Sequence, residues 1–242
     1  MKLKKNTAFD FEYTSGLYFR ASADIIALPP SAEPGTLLLE TDRLLLRRHL
    51  PSDAPSLAAA ANHASIAANL RSGFPSPYTL ADAQHFLSLS LRSSSAETDH
   101  RYYPTTAAIL LKQPHTNTDD TGDPSSPPYT YIGALGIVPH TDAVYHRTWE
   151  LGYWLTPSAW GRGYATEAVR AAVPWMFDTW PALNRVEAVV YAGNGASAGV
   201  LRKAGFVEEG RKRGCVEKGG EIRDELMFGI TRGDLGCELS MQ

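Results

Sequence analysis

The stretch between residues 148 and 180 constrains the fold more than any other part of the chain. A strand-like run, Thr148–Leu155, leads into the loop Gly161-Arg162-Gly163, and an amphipathic helix is predicted from 162 to about 180. The first N–H groups of a helix have no partner inside it, and the helix dipole adds partial positive charge there. Glycines let an anion approach the backbone, and Arg162 adds a full charge. This pattern predicts a phosphate or pyrophosphate site. The alternative is a tight turn that needs glycine only for a positive φ.

Two common phosphate-binding motifs do not account for this loop. A P-loop requires Gly-Lys followed by Ser or Thr, and that triplet is absent here. The dinucleotide fingerprint requires glycine or alanine at its sixth position, where this chain has Thr166. Neither nucleotide-binding fold is therefore predicted.

Hydrophobic periodicity predicts a mixed α/β (α+β) fold. Apolar residues alternate between strand-like and helical spacing along the chain, so we expect one central sheet of about six to seven strands with helices on both faces. Strands are predicted at 37–48, 105–111, 129–138, 148–155, 186–191, 206–209 and 222–230. Helices are predicted from a cap at Ser52 through 57–70, after a capping pattern formed by Thr79 and Asp82, at 162–180 and at 197–204.

Composition shifts divide the chain into one domain with additions. Residues 1–36 end in a stretch rich in Pro and Gly and are expected to form an N-terminal extension and linker. The domain is expected to span 37–234, and a tail to span 235–242. Within the domain, 113–128 is polar and rich in Pro, and it separates two strand-like runs. We interpret it as a flexible hairpin insertion.

Charge and cysteine content narrow the classes of function. The chain has 23 Lys and Arg against 26 Asp and Glu, a net charge of −3, which argues against a dedicated nucleic-acid binder. Its two cysteines are too few for a disulfide framework and lack zinc-site spacing. It has no uncharged apolar run of about 18 residues, and Asp10 and Glu12 interrupt any signal core. We expect a cytoplasmic protein with no metal, no nucleic acid and no membrane partner.

Several motifs in a fixed order resemble those of a known family. They are Glu40-Thr41-Asp42-Arg43-Leu44, Pro77-Tyr78-Thr79, Glu150-Leu151-Gly152-Tyr153-Trp154-Leu155, Trp160-Gly161-Arg162-Gly163-Tyr164-Ala165-Thr166-Glu167-Ala168, Asn184-Arg185-Val186-Glu187-Ala188, Asn194-x-x-Ser197 and Gly205-Phe206. Across roughly 37–234 the chain resembles the GNAT superfamily of acetyl-CoA-dependent N-acetyltransferases, in particular the Rim-type branch that acetylates the N-termini of ribosomal proteins. Trp160 departs from the Gln or Arg that opens this loop in many members.

The resemblance implies that acetyl-CoA lies in a V-shaped gap between two parallel strands, here 148–155 and 186–191. The pyrophosphate would lie on residues Gly161, Arg162, Gly163, Tyr164, Ala165 and Thr166. Gly152 suggests a bulge or a close backbone approach in the first strand. Backbone N–H groups released there, at Tyr153, Trp154 and Leu155, would bind the cofactor and stabilise the oxyanion.

A carboxylate near the gap is expected to take the proton of the acceptor ammonium. Glu150 is the first candidate, although it could equally be a structural or exposed carboxylate. Glu187, Glu217 and a water molecule remain alternatives. By resemblance, Asn194 and Ser197 hold the pantetheine arm, although both could act only as helix caps. Many family members have a tyrosine acid seven residues after this asparagine, where this chain has Leu201, so Ser197 or water is expected to protonate the thiolate.

The connection between the first two predicted helices contains Arg71, Phe74 and Tyr78. By resemblance these residues line the acceptor site, and the alternative is an ordinary Pro-rich connection. Two functions follow. The first is transfer of an acetyl group to a primary amine, on a peptide N-terminus or a small molecule. The second is a catalytically idle acyl-CoA-binding regulatory module. The sequence leaves open whether the protein is a monomer or a homodimer.

Overall fold

The computed structural model describes residues 33–91, 106–113, 128–140 and 143–236, and eight strands of these residues form one sheet. The strands are Leu37–Glu40 (β1), Leu44–Arg48 (β2), Thr106–Lys112 (β3), Tyr129–Pro139 (β4), Thr148–Leu155 (β5), Arg185–Tyr191 (β6), Val207–Lys218 (β7) and Glu221–Thr231 (β8). The helices are Ala54–Ala61 (α1), Ala64–Ala67 (α2), Leu80–Ser90 (α3), Tyr164–Thr179 (α4) and Gly195–Lys203 (α5). Most of the predicted N-terminal extension, the insertion and the tail lies outside the described residues.

The sheet order is β1-β2-β3-β4-β5-β6-β8-β7. Its neighbouring strands are antiparallel except for β5 and β6, which run parallel. The predicted mixed α/β fold is therefore confirmed. The strands on either side of the predicted insertion, β3 and β4, pair antiparallel.

The number of strands was underestimated. Residues 37–48, predicted as one strand, form two strands, because the chain reverses between Glu40 and Leu44. In this turn the Leu44 N–H donates to Thr41 Oγ1 at 3.0 Å and the Thr41 N–H donates to the Leu44 carbonyl at 2.9 Å. The hairpin β1–β2 adds an edge to the sheet and gives a total of eight strands.

The prediction of one continuous helix from the cap at Ser52 through residue 70 was also wrong. Asn62 leaves the helical conformation with ψ 65°, so α1 ends at Ala61 and the short helix α2 follows. The Asn62 side chain accepts a hydrogen bond from the Tyr78 N–H at 3.0 Å. This contact ties the break to the segment that precedes α3. The predicted cap of α3 is confirmed, because Thr79 and Asp82 form a capping box.

Helices cover both faces of the sheet, as predicted. One core packs α4 and α5 against the sheet and contains the fully buried Trp149, Phe177 and Phe228. A second core packs α1 and α3 against the opposite face, around Ala108 and Leu110. None of the helices within the described residues is long and apolar enough to cross a membrane.

Candidate active site

The two parallel strands separate after three paired positions. Their register is Thr148↔Arg185, Trp149↔Val186 and Glu150↔Glu187, although β5 continues to Leu155 and β6 to Tyr191. The structure therefore contains the predicted gap between β5 and β6. Glu150 and Glu187 stand side by side at its closed end.

Backbone N–H groups of β5 face this gap. Two observed bonds anchor the ladder between β4 and β5, from Thr156 N–H to the Ile132 carbonyl at 2.8 Å and from His140 N–H to the Thr148 carbonyl at 3.4 Å. Alternate residues of an antiparallel strand bond to the same neighbour. The N–H groups of Tyr153 and Leu155 therefore point toward β6, whereas that of Trp154 points toward β4.

The bulge expected at Gly152 is absent. The register between β4 and β5 runs without a shift from Gly133↔Leu155 to Pro139↔Trp149. The gap opens instead because β5 stays paired with β4 along its length, while β6 stays paired with β8. Each strand then follows the twist of its own half of the sheet, and the two strands diverge.

The glycine loop leads from the open end of the gap into α4. Gly161 and Gly163 have φ values of 72° and 81°, and Gly163 is the N-cap residue of α4. A Cβ at Gly161 would meet nothing within 4 Å, so this glycine is needed for its conformation and not for space. Trp160 donates from its indole Nε1 to the Leu155 carbonyl at 2.7 Å. The residue that departs from the family pattern thus fixes the loop to the end of β5.

Thr41 and Arg43, from the turn between β1 and β2, contact Glu167 of α4 next to the glycine loop. We call these three residues the clamp. Glu167 lies in the first turn of α4, where its charge would oppose binding of an anion. Its Oε1 accepts from the Thr41 hydroxyl at 2.6 Å, and its Oε2 accepts from Arg43 Nε at 2.7 Å. Partial burial by itself raises the pKa of Glu167, but the hydrogen bonds from Thr41 and Arg43 outweigh it and lower the pKa.

Arg43 also contacts the loop directly. Its Nη1 donates to the Arg162 carbonyl at 3.1 Å, and its guanidinium lies 4.6 Å from the centre of the Tyr164 ring. Arg43 and Glu167 lie in two of the sequence motifs but were not predicted to have a role. Their contact joins positions 124 residues apart, and only the fold brings them together.

The three candidate carboxylates have different surroundings. Glu150 Oε1 accepts from Arg71 Nη2 at 2.6 Å. Glu187 contacts His140 Nε2 at 2.8 Å and Arg185 Nε at 3.4 Å. Glu217 lies outside the gap, on the outer strand β7, in register with Ile222 of β8.

Within the described ranges, no group of three or more His, Cys, Asp and Glu side chains is arranged to hold a metal ion.

The residues expected around the thioester meet at the start of α5. Asn194 accepts the Ser197 N–H at 3.1 Å and so caps α5, as the alternative interpretation proposed. The Ser197 hydroxyl lies 2.9 Å from the Tyr153 hydroxyl, which reaches it from β5. Burial raises the pKa of Tyr153 to about 12. Leu201, at the sequence position where the resemblance led us to look for a tyrosine, is fully buried in the core.

Two of the predicted acceptor residues, Phe74 and Tyr78, form an aromatic cluster with Trp154 of β5, and the third, Arg71, contacts Glu150. Phe74 lies between Tyr78, at 4.9 Å, and Trp154, at 6.1 Å between ring centres. Tyr78 is 6% exposed and belongs to the core beneath α1 and α3, whereas Arg71 is largely exposed. The structure therefore brings Arg71 to Glu150 and joins Tyr78 to the site through Phe74.

Comparisons with known proteins agree with this geometry. Residues 43–207 match the family model described as an acetyltransferase (GNAT) domain. The chain is 28% identical over 195 residues to the uncharacterized N-acetyltransferase YoaA of Bacillus subtilis, covering 81% of this chain and 97% of that protein. The ribosomal-protein-S5-alanine acetyltransferase of Vibrio fischeri has a similar structure, with a TM-score of 0.61, 19% identity and coverage of 80% of this chain and 95% of that one. Mycobacterium smegmatis RimJ, solved with a CoA disulfide, has a TM-score of 0.59, 24% identity and coverage of 79% and 83%.

Proposed function

Because the chain belongs to the GNAT family and is an N-acetyltransferase, we propose that it moves the acetyl group of acetyl-CoA to a primary amine by direct attack on the thioester. One observation carries the proposal: β5 and β6 separate beyond a carboxylate, Glu150, and the glycine loop lies at the open end of the same gap. An amine acceptor approaching Glu150 would thus meet a thioester held between the strands.

The cofactor would lie with its pyrophosphate on residues 161–166 and its pantetheine arm in the gap. The left-handed glycines leave the backbone of the loop open to an anion, and Arg162 is exposed beside them. The clamp neutralises Glu167, so the first turn of α4 keeps a favourable potential for phosphate. The capped start of α5, with Ser197, would face the thioester sulfur.

Glu150 would act as the general base. It would accept the proton of the bound ammonium, directly or through water, and the neutral amine would then attack the acetyl carbonyl. Glu150 is paired with Arg71, whose side chain is largely exposed and can be displaced, whereas Glu187 is held by the less exposed His140 and Arg185. Glu217 lies outside the gap. These contacts favour Glu150 over the two other carboxylates.

The N–H groups of Tyr153 and Leu155 would stabilise the oxyanion, since both point into the gap. When the carbon–sulfur bond breaks, the electron pair leaves with the CoA thiolate. A thiol pKa near 8.5 lies well below the pKa of about 12 at Tyr153, so full proton transfer from Tyr153 is unfavourable. The Tyr153–Ser197 pair would therefore stabilise the thiolate by hydrogen bonding, and water would supply the proton.

For the acceptor we propose a peptide N-terminus first and a small amine second. The Vibrio fischeri neighbour is named for acetylating an alanine of a ribosomal protein, and it has the same fold. The exposed approach to Glu150 along Arg71 is compatible with a chain end that extends into solvent.

The test is release of free CoA thiol from acetyl-CoA in the presence of peptides and small amines. The proposal expects release that depends on an amine and produces an acetylated acceptor. Tight binding of acetyl-CoA without release in the presence of any acceptor would contradict it. That result would instead support the idle acyl-CoA-binding module.

A further inference from the structure

Residues 68–71, which we call the strap, follow α2 and are tied across the sheet by three contacts. Arg223 Nη1 of β8 donates to the Ala68 carbonyl at 3.2 Å. The Tyr191 hydroxyl of β6 donates to the Leu70 carbonyl at 3.3 Å. Arg71 then reaches Glu150 of β5. Because β5, β6 and β8 are neighbours in the sheet, the strap crosses the face on which Glu150 stands.

The third of these contacts places a cation on the candidate base. Arg71 Nη2 lies 2.6 Å from Glu150 Oε1, and the side chain of Arg71 is 71% exposed against 31% for Glu150. The pKa of Arg71 is raised by its hydrogen bond with Glu150 and, in spite of partial burial, by the nearby Glu225 and Tyr191. The guanidinium therefore lies among acidic groups, and solvent reaches it from one side.

An acceptor amine needs the same place. At neutral pH an α-amine is largely an ammonium ion, and it must come within hydrogen-bond distance of the carboxylate that deprotonates it. Two cations at that distance repel each other, and more strongly so in a half-buried site. The guanidinium has to move aside, and its donors then need a new oxygen acceptor.

We propose that Arg71 is a specificity-determining residue that holds Glu150 in the free protein and donates to an acceptor oxygen once the amine has taken its place. This inference rests on the proposed function. An α-amino carbonyl group has an oxygen on the carbon next to the amine-bearing carbon, so it meets both Glu150 and Arg71. An alkylamine has none, so the displaced guanidinium donates only to water, to which its exposed side chain is open. Acceptors with an α-amino carbonyl group are therefore favoured.

The experiment compares three acceptors that share one amine-bearing carbon: a peptide beginning with alanine, free alanine and isopropylamine. In Arg71→Met, we expect kcat/KM for the peptide relative to isopropylamine to fall about 10- to 100-fold, the worth of one hydrogen bond from a charged donor. The two amines differ in basicity, but this difference is the same for the wild type and the variant. It therefore cancels when the ratio of the variant is compared with that of the wild type. A greater loss with free alanine identifies a carboxylate as the oxygen, and a greater loss with the peptide identifies the peptide carbonyl. An unchanged ratio would overturn the proposal.

Arg223→Met is the matched control, because it removes another of the three contacts of the strap and leaves Arg71 on Glu150. We expect its acceptor ratio to equal that of the wild type. A fall as large as in Arg71→Met would assign the effect to the position of the strap and overturn the proposal.

Calorimetry on the CoA-saturated protein separates this inference from the proposed function. The wild type should bind the peptide more tightly than isopropylamine, and Arg71→Met should lose this preference. Absence of any preference in the wild type would overturn the role of Arg71. If the wild type binds the peptide more tightly than isopropylamine but releases no thiol, the role of Arg71 in acceptor binding stands. Only the proposed acetyl transfer is then contradicted.

Discussion

Arg43 and Glu167, 124 positions apart in the chain, form an ion pair with 2.5 Å between Arg43 Nη2 and Glu167 Oε2 beneath the glycine loop. Arg43 offsets the negative charge of Glu167 in the first turn of α4, where a pyrophosphate is expected to bind. The ion pair therefore reduces the repulsion that Glu167 would exert on the phosphate. It also fixes the Arg162 carbonyl and therefore the path of the loop.

Arg43→Gln should weaken CoA binding about 10- to 100-fold, because the loop loses charged hydrogen bonds and Glu167 is left uncompensated. Turnover of S-acetyl-pantetheine, which lacks the pyrophosphate, should stay near the wild-type value. Calorimetry and steady-state kinetics measure the two effects. Arg202→Gln is the control, since Arg202 also forms an exposed ion pair, with Glu208. Equal losses with both thioesters would show that Arg43 acts on the fold and not on the phosphate site.

Gly163→Glu should abolish the stabilisation by acetyl-CoA. At about 100 times its dissociation constant the cofactor should add about 2.7 kcal/mol, a rise in Tm of about 5–11 °C. The carboxylate at 163 would exclude and repel the pyrophosphate. Gly220→Glu has nearly the same backbone strain, since φ is 82° there and 81° at Gly163, but it lies in the β7–β8 turn. Both variants should lose apo stability, and only Gly220→Glu should keep the shift.

Glu150→Gln should slow transfer to peptides most below about pH 8 and less at higher pH. An α-amine with a pKa near 7.7–8.0 deprotonates unaided above that range, so the base then matters less. A pH–rate profile measures the effect, with Glu217→Gln as a control of the same residue type outside the gap. A loss in Glu150→Gln that is equal at every pH would assign the base elsewhere.

Tyr153→Phe and Ser197→Ala should each lower kcat by only about fivefold, the worth of an ordinary hydrogen bond to the thiolate. The leaving thiol is already acidic compared with the buried phenol, whose pKa is about 12. Single-turnover kinetics measures the loss. A loss above about 100-fold in either variant would indicate a true general acid.

His49 should make the protein less stable in mild acid. Its ring is 1% exposed, and burial lowers its pKa from 6.5 to about 4, against the raising effect of Asp53. The unfolded chain then binds more protons between these two values, so stability is complete above pH 6.5 and falls as the pH drops toward 4. The loss attributable to this residue is about 2 kcal/mol between pH 7 and pH 5.

Urea denaturation at both pH values checks this, with His49→Phe as the comparison. Phenylalanine keeps the ring between Phe86 and Tyr131. It removes two ring nitrogens that form no hydrogen bond within the described residues, although Nδ1 lies 3.9 Å from Asp53 Oδ2. The variant should lose about 2 kcal/mol less than the wild type over this range. Parallel pH dependence in the two proteins would show that His49 is not responsible.

Local patterns predicted much of this fold and several parts of the site. Alternation in β6 and the capping residues Thr79 and Asp82 are local properties, and the structure contains both. The left-handed loop before α4 also follows from the positions of its glycines. The separation of β5 and β6 was inferred from family resemblance and not from periodicity.

Contacts between distant segments could not be read from the same patterns. The clamp, the Tyr153–Ser197 pair and the contact of Arg71 with Glu150 all depend on how the sheet brings its strands together. Arg232 is a further example. It is charged yet 8% exposed, and its Nη2 donates to the carbonyls of Phe177 and Leu183 near the end of α4. A single arginine between Thr231 and Gly233 gives no sign in the sequence of such a set of partners.

The short parallel register between β5 and β6 has a mechanical consequence. Three residue pairs join an antiparallel half of five strands to an antiparallel half of three. Apart from the edge pair β1–β2, this seam has the fewest paired positions in the sheet, and a molecule hydrogen-bonded to both of its edges would act as the missing part of the ladder. Binding of the cofactor would then also cross-link the two halves of the sheet. Amide protons along β5 and β6 would exchange more slowly, and the mechanical force needed to separate the two halves would rise.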